Sequence, residues 1–115
     1  MRTVLWLDDW RDPFRNPEWV KIFSPIPFPD KVEWVKSYDE FVNYLNNNGL
    51  PDVVCFDHDL GEEKTGYDCA KYLVEFVINN KLELPLYGVQ SANPVGKTNI
   101  ICYLNSYLNF KWNTN

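Results

Sequence analysis

Two short apolar runs in this chain end abruptly in acid. Thr3-Val-Leu-Trp-Leu7 runs into Asp8 and Asp9, and Val53-Val-Cys-Phe56 runs into Asp57, His58 and Asp59 before Gly61 stops it. Carboxylates gathered at the ends of buried strands repel one another, and binding a hard cation such as Mg²⁺ or Mn²⁺ is the usual way to offset that repulsion. The plainer alternative is a solvated turn, for which Asp-Asp is common chemistry. His58, the sole histidine, is a candidate acid or base because its ordinary pKa lies near neutrality. Alternation along the strand would equally let it face away as a packing or surface residue. A third polar stretch, Gln90-Ser-Ala-Asn-Pro94, follows another apolar run. There Ser91 and Asn93 could hydrogen-bond a phosphate or simply end a strand and cap a helix, and the two roles are compatible. Gly96 would let an anion approach the backbone of that helix's first turn. Trp10, Arg11 and Arg15, directly after the first acidic pair, could reach a phosphate or stack on a base. Taken singly, each could also be an aromatic packed down a loop or an arginine in solvent.

The elements needed to hold these residues can be followed along the chain. Thr3–Leu7 is of strand length. From Trp10 to Lys31 the chain is rich in proline and aromatics, and one short helix is expected, with Asn16 as cap, Pro17 first, and Trp19, Val20 and Phe23 as its apolar stripe. Such a long irregular segment is often a lid or binding loop. Val32–Val35 alternates weakly as a second strand. Ser37 and Glu40 form a capping box for a helix whose face is Tyr38, Phe41, Val42 and Leu45 and which Gly49 stops. The strand into Asp57 follows. Thr65 and Asp68 form a second capping box, for a helix ending near Asn80 whose buried stripe is Cys69, Ala70, Leu73, Phe76 and Val77, with Lys71 and Glu75 as a solvent-facing pair. Leu84–Val89, entered through Pro85, is the fourth strand. Asn93 caps a last helix with Pro94 first and a stripe of Ile100, Tyr103, Leu104 and Tyr107. The tail, residues 109–115, offers a short edge strand through Phe110 and Trp112.

Alternation of this kind implies an α/β fold with a mostly parallel sheet, right-handed crossovers and helices on both faces, a three-layer sandwich. A strand order of 2-1-3-4 would set the ends of strands 1 and 3 side by side at a flavodoxin-like switch point, the place where ligands bind in such sheets. Asp8, Asp9, Asp57 and Asp59 would then share one crevice, with Ser91 at the same edge. The last helix would aim its free amides there. A cation site beside an anion site suits a phosphoryl ligand.

Composition limits the rest. With 115 residues, 45% of them hydrophobic, residues 1–115 have the mass of one domain with one core. A net charge of −5 argues against a general nucleic-acid surface. Cys55, Cys69 and Cys102 are odd in number and sit in apolar runs, which points to reduced thiols and a cytoplasmic location. The first apolar run is too short for a membrane span. The expected partner is a small phosphorylated molecule, with the protein itself a monomer or small homo-oligomer.

The acidic pair after strand 1, Asp57 ending strand 3, Ser91 after strand 4 and Gly66 opening the following helix resemble a response-regulator receiver domain. That resemblance implies Asp57 as phosphoacceptor, with Mg²⁺ held by Asp8, Asp9, Asp57 and the backbone carbonyl of Asp59. Receivers also carry a lysine after a fifth strand. Lys111 is a possible stand-in here.

Leu7-Asp-Asp-Trp-Arg11, Asp57-His-Asp-Leu-Gly61 and Ser91-Ala-Asn-Pro94, in that order, are similar to the motifs of the receiver-like family described as cyclic-phosphate processing. This closer resemblance implies action on, or binding of, a phosphate ester, with a cyclic nucleotide phosphate as the leading candidate, through a metal-dependent hydrolase site. Asp57 would attack to give an acyl phosphate, or with Asp59 orient the attacking water. Three alternatives stand beside this one. The chain could be a signalling receiver phosphorylated on Asp57, for which His58 and the uncertain lysine are departures. It could be a P-loop nucleotide hydrolase, because Ser91 to Thr98 approaches that pattern around Gly96 and Lys97. It could also be a module that binds a nucleotide without turning it over, the loop from Trp10 to Phe28 clasping the base.

Overall fold

In the computed structural model, which describes residues 1–113, the apolar runs form strands β1 (Thr3–Leu7), β2 (Lys31–Val35), β3 (Val53–Phe56) and β4 (Leu86–Val89). Helices α1 (Glu18–Phe23), α2 (Tyr38–Asn48), α3 (Gly66–Asn80) and α4 (Pro94–Asn113) follow them in turn. The sheet is parallel throughout, in the order β2-β1-β3-β4. Leu7 lies opposite Val35 on one side and Phe56 on the other, and Phe56 lies opposite Val89. The four strands therefore end level, and whatever follows each of them emerges along one edge.

Side chains alternate across the sheet with the two-residue period of a strand. Leu5, Leu7, Val54 and Phe56 face the larger cluster, with Phe41 and Leu45 of α2, Leu73 and Val77 of α3, and Ile100 and Leu104 of α4. Val4, Trp6, Val53 and Cys55 face the other way, under Val20 of α1 and the half-buried Trp19, Phe23 and Trp34. This second layer is thin, since α1 has only six residues, and Ile26 of the proline-rich segment adds to it.

Local expectations hold where polar partners are close in sequence. Thr65 and Asp68 form a complete capping box on α3. Ser37 accepts the amide of Glu40, but the Glu40 carboxylate takes the amide of Lys36, one residue before the cap, so that box closes on one side only. Asn16 does not cap α1 with its side chain. Pro17 itself holds the cap position in helical conformation (φ −66°, ψ −11°), and Asn16 contributes only its carbonyl, to Trp19. Lys71 pairs with Asp68 at 3.7 Å, one helical step back, where Glu75 was the expected partner. β4 begins at Leu86 and not at Leu84, because Pro85 has no amide to donate and pairing starts with Leu86 N–H to the Asp52 carbonyl. The tail forms no edge strand. α4 runs on to Asn113, with no proline or glycine after Gly96 to stop it; residues 114 and 115 of that expectation lie outside the described residues.

Cys55 and Cys69 are buried and Cys102 is exposed, all as free thiols. Among the described residues no helix is long and apolar enough to cross a membrane.

Candidate functional site

The sheet's hydrogen-bond ladder continues one step beyond its strands. The amide of Asp8 donates to Val35 (3.0 Å), that of Asp57 to Leu7 (2.9 Å) and that of Gln90 to Phe56 (3.0 Å). Asp8, Asp57 and Gln90 thus stand side by side at the carboxyl edge, and all three are buried.

Asp8 is the floor of the site. Its Oδ1 accepts the amides of Trp10 (3.1 Å) and Arg11 (2.9 Å), which folds those residues back over the acid. Its Oδ2 accepts the Arg11 guanidinium at 3.1 Å. Two indoles hold this turn from beneath, Trp6 donating to the Arg11 carbonyl at 3.0 Å and Trp34 to the Asp8 carbonyl at 2.8 Å. Arg11 Nη1 also lies 3.8 Å from Asp57 Oδ1. Asp57 Oδ1 accepts its own neighbour's amide, from His58, at 2.9 Å. Burial first, and then the charge of Asp8, push the Asp57 carboxyl up to about 7, against the opposing pull of Arg11 and the His58 amide.

Asp8, Asp9 and Asp57 each offer a carboxylate oxygen, all within 4.8 Å of one another. Asp9 Oδ1 is buried without a hydrogen-bond partner. An orphaned buried carboxylate oxygen is costly, and an all-oxygen donor set suits a hard divalent cation. The residues fit Mg²⁺ or Mn²⁺ on these grounds. Asp9 and Asp57 carry most of the free ligating capacity, since both Asp8 oxygens already accept protein hydrogen bonds. The Asp59 carboxylate is not part of this triad. It reaches His58 Nδ1 at 3.0 Å and Asn93 Nδ2 at 3.4 Å.

Above the acids lies a crevice of about 270 Å³ whose walls include Asp9, Asp57, Asp59, Trp10, Arg11, Ser91 and Asn93. Of the residues expected to share that edge, Asp9, Asp57, Asp59 and Ser91 line the crevice, while Asp8 is buried next to Asp57. Ser91 Oγ accepts the Asn93 amide at 3.0 Å, which leaves its hydroxyl proton free to donate. Asn93 caps α4 through the Gly96 amide at 3.0 Å.

At Gly96 the close neighbour is a side chain, and of the two readings of His58 its place matches the packing one. A Cβ on Gly96 would come within 2.3 Å of His58 Cγ. The glycine admits the imidazole, not an anion, and its amide is spent on Asn93. The His58 ring is wedged against the first turn of α4 with its Nδ1 on Asp59, and it does not line the crevice. Gly66 is needed for a similar reason, since a Cβ there would sit 1.7 Å from the Asp57 carbonyl oxygen. The start of α3 is pressed against the acidic strand end, with the Gly66 amide on the His58 carbonyl at 2.7 Å.

Lys111 is far from this chemistry. Its ammonium bonds Glu83 at 2.6 Å, just ahead of β4 and so at the opposite edge of the sheet. The cation at Asp57 is Arg11. Ser91 to Thr98 is not a phosphate loop, because helix α4 has already begun at Pro94 and Lys97 donates its amide within it. Sequence reasoning passed over Gln90. Its Nε2 donates to the Leu7 carbonyl (2.9 Å) and Asp8 Oδ2 (3.4 Å), and its Oε1 is buried without a partner. The available signal was its position, the first polar residue after a buried strand, level with Asp8 and Asp57.

Residues 3–106 match the family described as the cyclic-phosphate processing receiver domain. Comparison with curated proteins found no match. Among solved structures, the chain is similar to a fusion carrying a yeast Spc42 trimeric coiled coil, with a TM-score of 0.61 and 19% identity over 88% of this chain. This chain spans 59% of that one's length, and at such identity the likeness is one of fold.

Proposed function

This chain belongs to the cyclic-phosphate processing receiver domain family, and from that premise we propose that its acidic edge is a divalent-metal site that opens a cyclic phosphate ester by hydrolysis. One observation carries the reading: three carboxylates converge within 4.8 Å, one of their oxygens is buried and unpartnered, and they open onto a crevice with hydrogen-bonding groups on its far wall. A bound Mg²⁺ or Mn²⁺ would offset the charge of the acids and stabilise charge on the phosphoryl oxygens.

The protein's own groups supply the rest. Ser91 and Asn93 orient the phosphate from the α4 side, and Arg11 keeps Asp57 and Asp8 together and faces the developing negative charge. Asp57 attacks phosphorus through a carboxylate oxygen, the ring P–O bond breaks, and the leaving oxygen takes a proton from water. A second water then hydrolyses the acyl phosphate and returns Asp57 to its starting state. The net change is addition of one water to the ester. His58 acts from behind as a positioning residue, setting Asp59 and the first turn of α4.

The test is a panel of cyclic and linear nucleotides incubated with the protein in Mg²⁺ and followed by mass spectrometry. A gain of one water by a cyclic member, absent in Asp57→Ala, is the expected result. Unchanged mass across the panel, or turnover that survives the substitution, overturns the proposal.

A further inference from the structure

Trp10 is a large apolar side chain held in place and yet 64% exposed. Its indole meets Trp19 at a centroid distance of 6.0 Å and an angle of 73°, and the Arg11 guanidinium carbon lies 4.7 Å from its ring centroid. Leaving such a ring open to water forgoes its burial energy, and packing from two neighbours fixes its orientation at little further entropic cost. Behind it lies a second cleft of about 420 Å³, lined by Trp10, Asp12, Arg15, Asn16 and Trp19. That volume falls within the roughly 300–1,000 Å³ typical of small-molecule sites. Trp10 lines both this cleft and the acidic crevice, so the two adjoin one indole.

We propose that the Trp10–Trp19 cleft is a nucleobase subsite, so that the ester opened at the acidic edge is a nucleotide. This rests on the preceding proposal for the crevice. The chemistry of the rim selects the occupant. A base offers a flat π-face and an edge of mixed donors and acceptors. The cleft offers indole surface beside an acceptor in Asp12, a donor in Arg15 and both in Asn16. A second phosphate would be repelled by Asp12, and a purely aliphatic group would leave that rim unpaired. The loop is preformed, since Asp12 Oδ1 accepts the amides of Phe14 (2.9 Å) and Arg15 (3.2 Å).

Two cyclic phosphates separate this subsite from the crevice, adenosine 2′,3′-cyclic phosphate and the base-free cyclic phosphate of glycerol, each titrated calorimetrically in Mg²⁺. Trp10→Ala should weaken the adenosine ligand about 5- to 100-fold, a several-fold larger factor than for the glycerol ligand, and Trp10→Tyr should restore most of that difference. Equal weakening of both ligands, or none for the adenosine ligand, overturns the subsite. A second arm does not depend on phosphate. Adenosine alone, in chelator, should shift the indole N–H resonances of Trp10 and Trp19 in the wild type but not that of Trp19 in Trp10→Ala. If neither cyclic phosphate binds while adenosine moves those signals, the phosphate proposal falls and the subsite stands. If saturating adenosine moves neither, the subsite falls.

Discussion

The guanidinium of Arg11 lies 3.1 Å from Asp8 Oδ2 and 3.8 Å from Asp57 Oδ1, a cation of the protein's own set between two buried acids. Removing one partner of a buried ion pair leaves an uncompensated charge, which is strongly destabilising. Arg11→Met in chelator should therefore lose on the order of 3 kcal/mol by urea denaturation. Added Mg²⁺ should restore more stability to the variant than to the wild type, because it replaces the missing charge. Equal gains in both proteins would mean that the cation does not sit among these acids.

Asp57 sets a pH dependence with a definite sign. Its folded-state pKa is raised to about 7, against about 4 when unfolded. Between those values the native state holds more protons than the unfolded state, so stability falls as pH rises. The contribution of Asp57 is fully present below pH about 4 and is lost as pH passes through about 7. In chelator, Asp57→Asn should flatten this fall and be more stable than the wild type at pH 8, by roughly 1–3 kcal/mol. Chemical denaturation at several pH values reads it directly, and an unchanged slope would show that Asp57 titrates as it does when unfolded.

His58 and Gly96 should behave as a pair. Gly96→Ala places a methyl 2.3 Å from the His58 ring, which overpacking puts at about 1–3 kcal/mol. The same change in a His58→Ala background should cost little, and the double-mutant cycle should give a coupling of at least about 1 kcal/mol. Additive costs would separate the two residues.

Gly66→Ala has no such escape. The methyl would meet the Asp57 carbonyl oxygen at 1.7 Å, and that atom belongs to backbone held by the sheet. The expected outcome is a loss of more than about 3 kcal/mol, read as a collapse of the unfolding midpoint.

Much of the framework was legible because it depends on near neighbours. The alternation of Val4 and Trp6 against Leu5 and Leu7 assigns β1 its two faces, and Thr65 with Asp68 marks the start of α3. The strand order expected of a flavodoxin-like alternation is the one found, and it sets Asp8 beside Asp57. What escaped depends on contacts between distant residues. Nothing near Gly96 in sequence announces the His58 ring that fills the space above it, and nothing near Arg11 announces Asp57. Gln90 reads as one more polar residue until the ladder sets it beside the acids. The tail was misassigned because Phe110 and Trp112 fit a two-residue period over too short a span to tell strand from helix.

Titration with Mn²⁺, followed by the loss of the free-ion electron paramagnetic resonance signal, asks most directly whether the edge formed by Asp8, Asp9 and Asp57 is a metal site. The expected result is saturable binding by the wild type that weakens at least about tenfold in both Asp9→Asn and Asp57→Asn, each a change that removes a ligating carboxylate oxygen. Binding that is absent from the wild type, or that persists unchanged in both variants, would contradict the assignment.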